Sequence, residues 1–208
     1  MRDMRRRQAE RSGATSADLI RAAAELLREV GYAGATTALI ARRAGVTTGA
    51  LHHHFPTKDD LMFGVLDRST DRVLAEVERA PSFGRDERLD VAGLVRHLWE
   101  VYGDPDYWAV WEIIIGTRAD AAFHRRVVEH RADTMRRVLP AWIARHAEAG
   151  AGRDELGMLF EFVLIAIRGL GLERFLDQDP TYFDRQLDLL ADLVGRRLAA
   201  LPRPGDPA

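Results

Sequence analysis

Apolar residues recur at three- and four-residue spacings along most of the chain, and no useful stretch alternates apolar and polar positions. This period is typical of amphipathic helices, so the sequence predicts an all-α protein. The first pattern runs from Ala17 to Val30, opened by a capping box of Thr15 and Asp18 and closed by Gly31. Short helices are predicted over 37–44 and 48–54. Longer ones are predicted over 57–79, 86–102, 105–118, 120–148, 154–176 and 180–200.

Prolines and acidic residues mark several of the later helix ends. A second capping box, Thr57 and Asp60, opens the helix that runs toward residue 79. The pairs Asp104-Pro105 and Asp179-Pro180 each predict a helix start, because the aspartate accepts from free N–H groups and proline fits the first turn. Pro140 lies inside a predicted helix and is expected to kink it.

The segment 36–61 contains two short helices separated by a turn. A steep crossing of such helices requires a small residue at the contact, a turn residue that tolerates positive φ, and apolar residues on either side. Ala41 and Gly45 meet the first two requirements. The apolar positions are Ile40, Val46 and Leu51. This pattern predicts a helix-turn-helix whose second helix could lie deep in a DNA major groove, presenting Thr47, Thr48, Gly49 and Ala50, with His52 and His53 farther along.

Residues 15–67 resemble the DNA-binding domain of the TetR family of transcriptional regulators. The matching residues are Gly31-Tyr32, Thr36-Thr37, Ile40-Ala41, Ala44-Gly45-Val46, Leu51, His54-Phe55, Lys58 and Leu61. This chain departs from the family at His52, where tyrosine is usual, and at His53, where an aromatic residue is usual. The resemblance implies DNA contacts, mostly to phosphates, by Thr37, Thr48, Gly49, Ala50, His52, His53, His54 and Lys58.

Charge is distributed unevenly along the 208 residues, although the formal net charge is only −2. Residues 1–60 carry ten basic and seven acidic side chains, a net charge of +3, and the remainder carries −5. A basic N-terminal end favours a polyanionic partner. Lys58 is the only lysine and precedes Asp59 and Asp60 at a helix start. The helix dipole favours acids at this end and makes a cation mildly unfavourable for folding, so we interpret Lys58 as a phosphate contact.

No motif indicates catalysis. The sequence contains no cysteine, no phosphate-binding glycine loop and no nucleophile motif. The consecutive histidines 52–54 point about 100° apart on a helix, which is unsuited to chelation. We therefore expect neither an enzyme nor a catalytic or metal site, and no cofactor. The absence of a signal sequence and of a long apolar segment predicts a cytoplasmic protein without membrane association.

The second half is rich in aromatic residues and in apolar helices. By the resemblance, this half would bind a small-molecule effector and form the homodimer through a four-helix bundle of the last two helices. The predicted effector contacts are Trp99, Tyr102, Trp108, Trp111, Glu112, Arg118, Phe162 and Arg168. The predicted dimer contacts are Leu159, Val163, Ile167, Leu170, Leu187 and Leu190.

The leading hypothesis is a homodimeric repressor that binds a palindromic operator in double-stranded DNA and is released by a small apolar or aromatic effector. Its predicted parts are a basic N-terminal arm (1–14), a helix-turn-helix domain (15–60), an effector-binding and dimerisation domain (61–201) and a disordered tail (202–208). Two alternatives stay open. One is a helical carrier or enzyme in which the helix-turn-helix is only structural, and the other is a constitutive DNA-binding dimer without an effector.

Overall fold

A computed structural model describes residues 2–79, 90–146, 153–176 and 179–200, and the regular structure in these ranges is entirely helical. This confirms the predicted all-α fold. None of the helices in these ranges has the length and apolar character needed to cross a membrane. The helices are α1 (Arg2–Gly34), α2 (Thr37–Arg43), α3 (Thr48–His54), α4 (Lys58–Arg79), α5 (Val91–Tyr102), α6 (Trp108–Gly116), α7 (Ala121–His146), α8 (Arg153–Glu173) and α9 (Pro180–Ala199).

Local hydrogen bonds set several helix ends where the sequence predicts them. At the start of α4, the Thr57 N–H donates to Asp60 Oδ2 at 3.2 Å and the Asp60 N–H donates to Thr57 Oγ1 at 3.1 Å. At the start of α9, Asp179 Oδ1 accepts from the Thr181 N–H at 2.9 Å. Gly31 has φ +71°, so the helix path breaks there as expected, although helical structure resumes up to Gly34.

The predicted start of the first helix is wrong, since α1 begins at Arg2 and not at Ala17. Arg, Gln, Ala and Glu dominate the preceding residues and favour helix, and Gly13 costs only about 1 kcal/mol. The pair Thr15 and Asp18 therefore lies inside the helix. After Pro105 the chain forms a 3-10 turn, so α6 begins later than predicted, at Trp108.

Asp90 is a helix cap that the sequence analysis missed. Its Oδ1 accepts from the Gly93 N–H at 2.8 Å and so sets the start of α5 at Val91. The predicted start of this helix at residue 86 and the predicted tail 202–208 lie outside the described residues.

The chain divides into two compact units, the first drawn from the spans 1–71 and 105–131. Its core forms where α1 packs against α2, α3 and α6, with Leu26, Ile40, Leu51, Leu61 and Ile113 almost fully buried. This unit therefore includes α6 and the start of α7, which lie beyond the predicted boundary at residue 60.

The second unit is drawn from the spans 72–104 and 132–208, as far as these are described. In it α5 packs on both α8 and α9. Leu98, Leu156, Phe160 and Leu164 are almost fully buried, and Leu187 is 2% exposed. These side chains occupy the inner face of each helix, so the unit has its own hydrophobic core.

Candidate nucleic-acid interface and effector region

The turn between α2 and α3 has the conformation that a helix-turn-helix requires. Gly45 has φ +70°, a left-handed conformation that favours glycine. The Val46 N–H donates to the carbonyl of Ala41 at 3.0 Å and closes the turn. Ile40, Ala41 and Leu51 are buried, as the sequence predicts. The positions of α2 and α3 are therefore fixed by a small, well-packed core.

The first turn of α3 presents small residues to solvent. Thr47 caps the helix, its Oγ1 accepting from the Ala50 N–H at 3.1 Å. Thr47, Thr48 and Gly49 are exposed, whereas Ala50 is half-buried. A Cβ added at Gly49 would meet only Thr47 Oγ1, at 3.9 Å. Thr37 is partly exposed at the start of α2. Because these side chains are small, the surface of α3 can approach a DNA groove closely.

The three histidines end α3 in different surroundings. His52 and His53 are exposed and His54 is half-buried. The Nδ1 atom of His52 lies 3.2 Å from the carbonyl oxygen of Pro56, and the rings of His53 and His54 meet edge to face at 5.6 Å. Among the described residues, no cluster of three His, Asp or Glu side chains is suited to a metal ion. The exposed imidazoles can donate hydrogen bonds to phosphate oxygens.

Two adjacent arginines at the end of α2 have different partners. Arg43 donates to both carboxylate oxygens of Glu29, at 2.9 and 2.7 Å, and to Glu25 at 3.3 Å. These bonds raise the pKa of Arg43 and fasten α2 to α1. Arg42 is exposed and has no ion pair with any residue in the described part of the chain. It is a candidate phosphate contact that the sequence analysis missed, because the sequence does not show which arginine the two acids hold.

Lys58 is held against the end of α1. Its Nζ donates to the carbonyl oxygen of Tyr32 at 2.6 Å and lies 4.0 Å from the centroid of the Tyr32 ring. The side chain is partly buried, and burial lowers the pKa of Lys58. An ammonium has three N–H donors, so the bond to Tyr32 leaves two for another acceptor.

Glu112, a predicted effector contact, meets Tyr32 in the first unit and is itself bonded to Trp108, another predicted effector contact. The Tyr32 N–H donates to Glu112 Oε2 at 3.1 Å, and Trp108 Nε1–H donates to Glu112 Oε1 at 3.0 Å. A Cβ at Gly116 would lie 2.4 Å from the Tyr32 Cβ, so glycine is required where α6 approaches this residue. The carboxylate of Glu112 therefore bonds to α1, a contact that sequence reasoning did not foresee.

The other predicted effector contacts lie in both units. In the first, Trp111 is half-buried and Arg118 is exposed, donating to the carbonyl of Ile115 at 2.8 Å. In the second, the buried Arg168 guanidinium lies 4.9 Å from the centroid of the buried Tyr102 ring. Trp99 stacks on Phe183 with ring centroids 5.4 Å apart. Phe162 is 49% exposed on α8. Thus Trp99, Tyr102 and Arg168 belong to the second unit, together with Phe162.

The second unit also contains a small apolar cleft, partly open to solvent. It lies between α5, α8 and α9, and its lining is entirely apolar. Leu159 and Val163, predicted as dimer contacts, are on its wall. The complete lining is Val91, Leu94, Leu159, Phe160, Val163, Val194 and Leu198.

Four of the six predicted dimer contacts face the core of their own chain. Val163, Ile167, Leu187 and Leu190 are buried, and Leu159 and Leu170 are half-buried. The reason is that α8 is apolar on two faces, and its outer face carries a different set of residues. The exposed apolar side chains of this set are Met158, Phe162, Ile165 and Leu172. Leu176 is exposed in the 3-10 turn after α8, and Leu189 and Leu193 are exposed on α9.

Comparison with known proteins adds independent information. A model of the family described as bacterial regulatory proteins, tetR family, matches residues 19–65. The HTH-type transcriptional regulator CymR of Pseudomonas putida is 27% identical over 204 residues, which is 98% of this chain and all of CymR. The matched family segment contains α2, the turn and α3 in full.

Solved structures share the fold over most of the chain. A transcriptional regulator from Rhodococcus sp. Rha1 superposes with a TM-score of 0.69 at 23% identity, covering 90% of this chain and 99% of that one. The multidrug binding protein EbrR, solved in complex with imidazole, gives a TM-score of 0.62 at 22% identity, covering 92% and 97% of the two chains. The helical arrangement is therefore one that regulatory proteins use.

Proposed function

Because this chain belongs to the TetR family of transcriptional regulators and is a DNA-binding regulator, we propose that it is a homodimeric repressor released from a palindromic operator by a small apolar or aromatic effector. The observation that carries this proposal is the first turn of α3, where Thr47, Thr48 and Gly49 are exposed beside a turn fixed by Gly45. In this arrangement Thr47–Ala50 meet base edges. Thr37, His52, His53, His54 and Lys58 contact phosphates.

The homodimer forms through the outer faces of α8 and α9. On α8 the exposed apolar residues Met158, Phe162, Ile165 and Leu172 follow the alternating four- and three-residue spacing of a helix–helix seam, with Gly169 at the intervening position. We call this row the α8 stripe. Isolated apolar residues on a surface are ordinary, but a continuous row indicates a partner surface. A second copy offers the same row, as a two-fold interface requires.

The two-fold symmetry of the dimer requires a palindromic operator. Two recognition helices related by the dimer axis read half-sites about 34–36 Å apart, one turn of DNA. An effector that binds a state with a different spacing more tightly shifts the population away from DNA. Helix α4 begins at Lys58, among the DNA contacts, and continues to Arg79 within the second unit, so it is one continuous helix along which such a change passes.

The effector site is proposed for the second unit. Tyr102 and Arg168 provide a buried aromatic ring and a buried cation, and Trp99 provides a further ring. A small apolar cleft lies between α5, α8 and α9 of the same unit. The EbrR structure, which has the same fold, contains imidazole and thus a small ring compound. Apolar surface with a few polar groups is the usual lining of a small-molecule site.

The test is binding of the purified chain to the DNA upstream of its own gene, compared with a random duplex across a salt series. We expect a preference for the upstream DNA, a steep loss of affinity with salt, and release by at least one compound in a panel of small aromatic molecules. A tight ligand complex with no DNA affinity at low salt would support the carrier alternative. DNA binding that no compound releases would support the constitutive dimer.

A further inference from the structure

Tyr32 joins a predicted DNA contact to a predicted effector contact. Its N–H donates to Glu112 Oε2 at 3.1 Å, and its carbonyl oxygen accepts from Lys58 Nζ at 2.6 Å. Residues 32 and 112 are 80 positions apart in the chain, and residues 32 and 58 are 26 apart. Three helices, α1, α4 and α6, therefore meet at one residue within the first unit.

The geometry around Tyr32 explains why its backbone needs a partner. Gly31 has φ +71°, so the regular hydrogen bonding of α1 is interrupted immediately before the Tyr32 N–H. Glu112 supplies the acceptor, and a Cβ at Gly31 would lie 3.2 Å from the same carboxylate oxygen. A buried backbone N–H without an acceptor is costly, so this bond favours one position of the peptide.

Both oxygens of the Glu112 carboxylate are used. Oε2 accepts from Tyr32, and Oε1 accepts from the indole N–H of Trp108, one turn earlier on α6. A carboxylate held at both oxygens has one orientation, and the bond to Tyr32 transmits that orientation to α1. On the other side of Tyr32, the carbonyl and the ring together hold the Lys58 ammonium.

We propose that Glu112 is a positioning residue for DNA binding: it fixes Tyr32, which in turn holds the Lys58 ammonium with two N–H groups directed to a DNA phosphate. This inference rests on the proposed function. A free lysine side chain samples many rotamers, and ordering it on binding weakens the contact. With Tyr32 fixed, the ammonium is ordered before DNA arrives. Glu112 thus affects DNA affinity without touching DNA.

Lys58 provides a direct spectroscopic test, because it is the only lysine of the chain. In protein labelled with ¹⁵N-lysine, the side-chain ammonium gives one resonance. We expect this resonance to be shifted by the Tyr32 ring and protected from solvent exchange in the wild type. Glu112→Ala should remove most of the shift and protection. Trp108→Phe keeps an aromatic ring but removes the indole N–H, so it should reduce both the shift and the protection. It provides the same test if Glu112→Ala does not fold.

DNA binding is measured on the same proteins with a random-sequence duplex of about 30 base pairs, long enough for two half-sites one helical turn apart. Lys58→Met and Glu112→Ala are each expected to lower the affinity about tenfold and to reduce the salt slope by about one per phosphate contact in each subunit. Because both act through one ammonium, the double variant should bind like Lys58→Met alone. Glu112→Gln keeps one oxygen that can accept from Tyr32 but cannot also accept from the Trp108 N–H, so its slope should match that of Trp108→Phe.

The matched control is Asp106→Asn, which removes the ion pair between Asp106 and Arg28. That pair also joins α1 to the segment before α6 but takes no part in the bonds of Tyr32 to Glu112 and Lys58, so the Lys58 resonance and the salt slope should not change. An unchanged resonance in both Glu112→Ala and Trp108→Phe would overturn the inference, as would full additivity of Glu112→Ala with Lys58→Met. Failure of the wild type to bind any duplex would instead overturn the proposed function.

Discussion

Two glycines near the recognition helix should respond in opposite ways to the same added methyl group. Gly45 has φ +70°, and a Cβ there would meet no heavy atom within 4 Å. The penalty of Gly45→Ala is therefore conformational, about 1–2 kcal/mol for a left-handed residue. Gly49 lies inside α3, with open space around a Cβ, so Gly49→Ala should stabilise the helix by about 0.5–1 kcal/mol.

DNA affinity should follow the reverse order, because Gly49 is on the surface proposed to enter the major groove and Gly45 is in the turn behind it. An extra methyl group at a closely packed interface costs about 1–3 kcal/mol, or roughly 5- to 150-fold in affinity. Thermal unfolding and duplex binding of both variants provide the measurements. For a chain of this size, Gly45→Ala should lower the midpoint by about 2–8 °C.

Each of the two variants tests a different part of this prediction. If Gly49→Ala binds DNA as tightly as the wild type, the first turn of α3 does not approach DNA closely. If Gly45→Ala unfolds at the wild-type temperature, the turn does not require the left-handed conformation. We expect Gly49→Ala to be more stable than the wild type but to bind DNA more weakly. We expect Gly45→Ala to be less stable but, when folded, to bind DNA with nearly wild-type affinity.

Three further variants test other parts of the structure. Ile165 lies in the α8 stripe and is 63% exposed, so Ile165→Glu places a charge in an apolar interface and should weaken the dimer by at least about 2 kcal/mol. Sedimentation equilibrium measures the dimer affinity. Val128→Glu, at a 53% exposed position outside the stripe, should leave the dimer intact. Arg42→Ala should lower the salt slope of DNA binding by about one per subunit and change the free energy of unfolding by less than about 0.5 kcal/mol. An unchanged slope would remove Arg42 from the interface. Leu51→Ala should cost about 2–5 kcal/mol in chemical denaturation, since Leu51 is fully buried, and a near-neutral result would contradict its place in the core.

Short-range chemistry made much of the DNA-binding end predictable. The limits of α3, the left-handed Gly45 and the reciprocal bonds of Thr57 and Asp60 all depend on residues within about one helical turn of each other. The same reasoning failed at the start of α1, where the capping pair Thr15 and Asp18 competes with a longer helix. A local signal marks a possible helix end, but helix-favouring residues on both sides can override it.

The sequence by itself determined the all-α class, the helix-turn-helix and its small-residue recognition turn. Only the tertiary structure decided which of two apolar faces of α8 is inward, burying Val163 and leaving Ile165 exposed. It also decided that Glu112 bonds to Tyr32, which is 80 residues away. Helical periodicity indicates which face of a helix is apolar but not which other helix packs on that face. Burial and long-range hydrogen bonds depend on how the helices pack.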